Sequence, residues 1–189
     1  ELALLETLDM GKPIGDSLTV DIPGAARALR WSGEAIDKIY DEVAATPHDQ
    51  LGLVTREPVG VAGMITPWNF PIAIPAWKIA PALCYGNAVV FKPAELVPGS
   101  AHALSEIIAR SGIPAGVFNL VVGSGSVVGQ TLLDHPDVAA ISFTGGTDDA
   151  PPPPLGADGI PELTADPEGT MGIQEKLRVA LRNVDRVIT

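Results

Sequence analysis

Apolar positions in the first third of the chain recur at steps of three and four. Leu2, Leu4, Leu5 and Leu8 open it in a helical register. Ile22, Ala25, Ala26, Leu29, Ile36, Ile39, Tyr40 and Val43 continue that spacing and predict one amphipathic helix over 22–43. Asp21 is placed to cap it, with Pro23 in its first turn. Leu51 to Arg56 then alternates and predicts a strand, punctuated by Glu57-Pro58.

From residue 59 onward, short apolar runs alternate with helical segments. Strands are expected over 59–66, 88–91, 117–122 and 138–143. Helices are expected over 75–83, closed by Gly86, over 98–111, stopped by Gly112, and over 126–133. Strands separated by helix-length crossovers make a parallel sheet with right-handed connections. The fold class is therefore α/β, a Rossmann-like parallel sheet with flanking helices. The alternation stops at Thr147. Asp148-Asp149-Ala150 leads into Pro151 to Pro154, and 148–171 reads as an extended Pro, Gly and acidic linker. Residues 172–189 form an unassigned tail in which Ile173, Leu177, Ala180, Leu181, Val184 and Ile188 would share one helical face.

Composition narrows the function classes. The net charge of −11 argues against nucleic acid as a partner, which needs clustered Lys and Arg. Pro and Gly break every apolar run below membrane length, so no membrane span is expected. Cys84 is the sole cysteine, which rules out an intramolecular disulfide and suggests a reducing, cytoplasmic setting. The chain opens inside a helical pattern without an initiator Met, and so reads as a fragment or processed product.

Polar residues just past the strand ends are the candidates for chemistry, because open α/β sheets bind ligands there. Lys92 and Glu95 follow an all-apolar strand and are spaced to reach a ribose diol; a solvated loop ion pair explains them equally well. Asn69, between Trp68 and Phe70 and bounded by Pro67 and Pro71, is a neutral donor suited to an oxyanion, or simply a turn residue. Gly123-Ser124-Gly125-Ser126-Val127-Val128-Gly129 opens a helix in a way that suits a pyrophosphate. Its third glycine falls one residue later than in the usual dinucleotide fingerprint. Cys84, at a helix end with no cation adjoining it in sequence, reads as a buried, inert thiol. His48, His102 and His135 lack metal-ligand spacing and read as surface residues, so no metal site is expected.

These segments, in this order, resemble the aldehyde dehydrogenase superfamily. The matching stretches are LDMGKPI (8–14), REPVGVAGMITPWNFP (56–71), AWKIAPALCYGNAVVFKPAE (76–95), GIPAGVFNLVVGSGSVVG (112–129) and HPDVAAISFTGGT (135–147). The resemblance covers 1–147 as a partial dinucleotide-binding domain and does not extend into 148–189. Residues 21–57 look most like enzymes of γ-glutamyl-aminobutyraldehyde oxidation, and 60–130 more like α-ketoglutaric semialdehyde dehydrogenases, so the aldehyde stays open.

The resemblance implies that Lys92 and Glu95 hold the adenosine ribose, while Ile65, Thr66, Pro67 and Trp68 line the cofactor cleft. It also implies that Gly125 and Gly129 admit the adenine side, and that Phe143, Thr144, Gly145 and Gly146 lie near the pyrophosphate and nicotinamide. Asn69 would donate to the oxyanion formed when a cysteine attacks the aldehyde. NAD is the implied cofactor, since Glu95 should repel a 2′-phosphate, with NADP possible. A small-molecule aldehyde and a homo-oligomer are the implied partners. The chain departs from the family after Thr144: Gly146 stands where Ser is usual, and neither the general-base Glu segment nor the nucleophilic Cys segment follows. Cys84 matches a structural helix position. The chain alone is therefore expected to be inactive, as part of an aldehyde dehydrogenase or, alternatively, as a non-catalytic nucleotide- or partner-binding module.

Overall fold

A computed structural model of the protein describes residues 1–145. The expectations for Gly146, for the domain end at 147, for a linker over 148–171 and for a helical tail over 172–189 lie outside the described residues.

Four parallel strands carry the structure: β3 (Val61–Ile65), β4 (Ala88–Lys92), β5 (Phe118–Leu120) and β6 (Val138–Phe143). They follow a separate hairpin of β1 (Glu42–Ala44) and β2 (Gly52–Val54). The spatial order of the four is β5-β4-β3-β6. Two crossovers step the same way, through α4 (Ala73–Cys84) and α5 (Pro98–Arg110). The third returns past β3, through a π-helical turn (Gly125–Gly129) and α6 (Gln130–Asp134). Right-handed crossovers that reverse direction must put their helices on opposite faces.

Side-chain alternation agrees with that placement. Ala62, Met64, Val89 and Phe91 form the main core with Ile79 of α4 and with Ala101, Leu104 and Ile108 of α5. Gly63 faces the other way, toward α6. A Cβ built on it would lie 2.5 Å from Ile141 Cδ1 and 3.7 Å from Leu132 Cδ1, so β3 and β6 pack here only because residue 63 has no side chain.

An outer helical layer comes from α1 (Leu2–Met10), α2 (Ile14–Asp16), a π-helical turn (Ser17–Asp21) and α3 (Ile22–Ala35). Ala25 joins Ile72 and Ala76 in a second apolar cluster, which fastens α3 to α4. Val97 cannot cap α5; instead Asp9 Oδ2 accepts from Ser100 N–H at 2.7 Å, so a residue from α1 satisfies the helix start. Glu6 of α1 is fully buried, and neither carboxylate oxygen has a hydrogen-bond partner among the described residues. Burial raises its pKa above the ordinary 4.5; Ser17 opposes the rise, Asp21 adds to it and Lys12 opposes it.

The raised value means that the folded state binds the proton more tightly than the unfolded chain does. The stability from this group is therefore full below the unfolded value and is lost as pH rises through the folded one. Glu6→Gln should come closest to the parent protein below the ordinary carboxylate value and gain on it as pH rises toward 7. Urea melts at the two ends of that range check this; the same difference at both would contradict it.

The helix expected over 22–43 ends at Ala35, where Lys38 N–H bonds to the Ala35 carbonyl in a tight turn. Residues 42–44 pair instead with 52–54, so the 51–56 strand is real but short and has an antiparallel partner. Ile36, Tyr40 and Val43 continue the helical spacing yet are 60, 75 and 71% exposed; among the described residues they find no surface to bury against. Asp21 is not a cap either. It sits inside a continuous helical run that starts at Ile14, and its carboxylate pairs with Lys12.

Candidate functional site

The strand order reverses at β3, so the crevice expected of such sheets lies at the carboxyl ends of β3 and β6. Ile65 is the register partner of Lys92 on one side and of Phe143 on the other. Two further bonds carry the pairing into the loops. Thr66 N–H donates to the Lys92 carbonyl at 3.2 Å, and Thr144 N–H donates to the Ile65 carbonyl at 3.0 Å. The segments after Lys92 and Phe143 therefore each start about one strand spacing (~4.8 Å) from the Thr66 segment, on either side of it.

Parity decides which side chains share the site. Ile65 and Lys92, as register partners, point to the α6 face, and Phe91 points to the opposite core. Lys92 is 4% exposed. A Cβ on Gly125 would stand 3.8 Å from the Lys92 amine, and one on Gly129 would stand 3.8 Å from Ile65 Cδ1. Both are ordinary van der Waals separations, so the two glycines mark where the turn's backbone lies against Lys92 and Ile65. Glu95 reaches across from the loop after β4 and accepts from Gly125 N–H at 2.8 Å. Ser124 caps the turn, its hydroxyl accepting from Val127 N–H at 3.2 Å. Lys92 and Glu95 make no ion pair with each other: the cation is buried beside Gly125 while the carboxylate is exposed and spent on a backbone amide.

The Thr66 hydroxyl is buried without a partner among the described residues. Pro67 is half-buried, Trp68 is 51% exposed and Asn69 is exposed. Phe143 is 38% exposed, and Thr144 and Gly145 are exposed as the chain leaves β6. Twelve of the thirteen sequence candidates thus lie at or just past the carboxyl edge or on the turn that opens α6; Gly146 is outside the described residues.

One polar contact escaped the sequence reading. Lys78 of α4, half-buried, donates to Ser142 Oγ of β6 at 2.7 Å, and burial lowers its pKa. The partners are 64 residues apart, and only sheet register brings Ser142 to the α4 side, opposite Met64. Cys84 sits at the far end of α4, near the amino edge of the sheet. Its thiol is half-buried rather than fully buried and donates to the Ser32 carbonyl at 3.0 Å. His48, His102 and His135 are exposed. The described residues hold no cluster of metal-ligating side chains, and none of their helices is long and apolar enough to cross a membrane. An open groove of about 470 Å³ runs along the outside of α6, lined by residues such as Ser126, Thr131 and His135; none of the thirteen candidates lines it.

Residues 1–150 match the model of the aldehyde dehydrogenase family. Over 147 residues the chain is 56% identical to the NADP/NAD-dependent aldehyde dehydrogenase PuuC of Escherichia coli (strain K12), covering 78% of this chain and 30% of that protein. Over the same length it is 50% identical to an aminoacetaldehyde dehydrogenase of Pseudomonas aeruginosa, with the same coverage. A crystal structure of an indole-3-acetaldehyde dehydrogenase with NAD+ superposes with a TM-score of 0.75 at 64% identity, covering 77% of this chain and 30% of that one. The chain spans about 30% of the length of the curated relatives it matches. With the parallel sheet, the order reversal at β3 and the family match over 150 of 189 residues in agreement, the chain belongs to the aldehyde dehydrogenase family.

Proposed function

We propose that this chain forms the cofactor-binding part of an NAD(P)-dependent aldehyde dehydrogenase, which oxidises an aldehyde to a carboxylate. The observation that carries the reading is the meeting of Lys92, Glu95 and Gly125 beside Ile65 at the carboxyl edge. A dinucleotide suits the residues present. Gly125 and Gly129 add no side chain of their own beside Lys92 and Ile65, Lys92 is a buried cation, and the orphaned Thr66 hydroxyl lies at the same edge.

In this reading Lys92 donates to ribose hydroxyls and Glu95 accepts from them, exchanging its bond to Gly125 N–H for a bond to the sugar. Ile65, Thr66, Pro67 and Trp68 wall the cleft. Gly125 and Gly129 allow the adenine end to approach, and Phe143 and Thr144 flank the pyrophosphate and nicotinamide. NAD, when bound, supplies the hydride acceptor. Asn69 keeps its amide free among the described residues, as a donor awaiting a developing oxyanion must. Cys84 is not the attacking thiol: it is committed to Ser32 at the opposite end of α4. The substrate class is an aldehyde, with aminoaldehydes favoured by the likeness to the aminoacetaldehyde enzyme. Calorimetric titration with NAD and with NADP tests the assignment. Saturable binding of one dinucleotide per chain is expected, tighter for NAD, and no binding of either would overturn it.

The β1–β2 hairpin supports the homo-oligomer reading. Val43, Leu53 and Val54 are 71, 61 and 51% exposed on a two-stranded ribbon, which is marginal by itself and has open edges. A second copy covering this ribbon would bury them. Sedimentation should then give a dimer or larger species that Val43→Lys with Leu53→Lys dissociates. A parent protein that stays monomeric at every concentration would refute this.

A further inference from the structure

Lys12, in the turn between α1 and α2, has contacts that the proposed function leaves unused. Its side chain is 11% exposed, and its amine pairs with the Asp21 carboxylate, itself 3% exposed. The same nitrogen stands 3.9 Å from the centroid of the Phe70 ring. Asp21 closes the π-helical turn Ser17–Asp21, a local widening of the helix that is a common feature of functional sites. Glu6 and Ser17 are buried in the same corner, yet only Asp21 bonds the ammonium. An amine held this way is desolvated and fixed, the condition under which attraction to a ring face is strongest.

What Lys12 holds is the base of the Pro67–Pro71 loop. Pro71 is fully buried, Ile72 belongs to the cluster with Ala25 and Ala76, and Ile74 N–H bonds back to the Phe70 carbonyl at 3.2 Å. On the other side, Thr66 N–H is tied to Lys92. Trp68 and Asn69 project between these two anchors, with no hydrogen bond of their own among the described residues. Phe70 is the residue next to Asn69, so a contact that holds its ring acts one residue from the turn.

We propose that Lys12, oriented by Asp21, is a positioning residue that clamps the Phe70 ring and thereby fixes the Trp68-Asn69 turn. Its bearing on chemistry rests on the proposed roles of Trp68 and Asn69; the ordering of the turn does not. The test measures backbone ¹⁵N order parameters in the full chain for the parent, Lys12→Met and Lys12→Arg, with NAD titration of each. In the parent, Trp68 and Asn69 should be near the rigid value of about 0.85. Lys12→Met should drop both below about 0.6 while β3 and β4 keep their values, and Lys12→Arg, which restores a cation over the ring, should recover them. Phe70→Leu should reproduce the Met result if Lys12→Met folds poorly. Unchanged order in Lys12→Met and Phe70→Leu, or an equal loss throughout the sheet, would overturn the proposal. Failure of the parent to bind NAD would remove the functional reading and leave the order parameters to judge Lys12 separately.

Discussion

Lys92→Met should weaken NAD binding by about 10- to 100-fold while leaving the fold intact. The Met side chain keeps the apolar stem that lies along the α6 face and removes only the amine. Hydrogen bonds to a charged group contribute about 1.5–3 kcal/mol, and each 1.4 kcal/mol is a factor of ten in affinity. Lys92 belongs near the upper end of that range, because its side chain is 4% exposed and it has no competing carboxylate to release. Glu95→Gln should cost less, because Glu95 is exposed and must first give up Gly125 N–H. It should also narrow the preference for NAD over NADP, since the negative charge opposing a 2′-phosphate is gone. Calorimetry on the three proteins checks both. Equal NAD affinity in the parent and in Lys92→Met would remove the assignment of Lys92 to the cofactor.

The largest effect on stability should come from Phe91→Ala, with a loss of about 3–5 kcal/mol. Phe91 is completely buried in β4, beside its register partner Met64 of β3 and in one cluster with Ile79, Leu104 and Ile108 of the two covering helices. Its ring also meets Phe118 of β5, with centroids 6.2 Å apart. Removing it opens a cavity that these neighbours, held on β3, α4 and α5, cannot collapse to fill. A domain of this size is stable by only about 5–15 kcal/mol, so the variant should melt at least roughly 10 °C lower. Thermal unfolding followed by circular dichroism reads this directly; a loss under about 1 kcal/mol would show that the core is not centred where the structure puts it. Phe91→Leu, which keeps most of the volume, should lie between the two.

Some parts of this architecture were open to reading from residues alone. The four parallel strands and their three helices are separated by Gly and Pro punctuation, and each carries a period that its own neighbours enforce. Lys92, Glu95, Asn69 and Thr144 each follow directly on an apolar run or on the turn beyond it, so their location at a strand's carboxyl end needs no distant partner. The stretch from Ile36 to Val43 misled for the converse reason: its helical spacing is genuine, but periodicity promises burial that the fold does not provide, and a strand pairing with 52–54 takes over. Asp21 likewise has the residue type of a cap, while its actual partner, Lys12, comes from the preceding turn.

By its order of apolar and polar residues, the chain specified an α/β sheet, its crossover helices and a set of polar groups beyond the strand ends. Those features follow from local periodicity and turn chemistry, which act over a few residues. The tertiary structure alone decided the strand order β5-β4-β3-β6, and hence that the sheet reverses at β3. It also decided which partners meet across long stretches of chain: Lys78 with Ser142, 64 residues apart, and Asp9 with Ser100, 91 apart. Such contacts depend on how whole elements stack, and the residues between the partners carry no periodic trace of them.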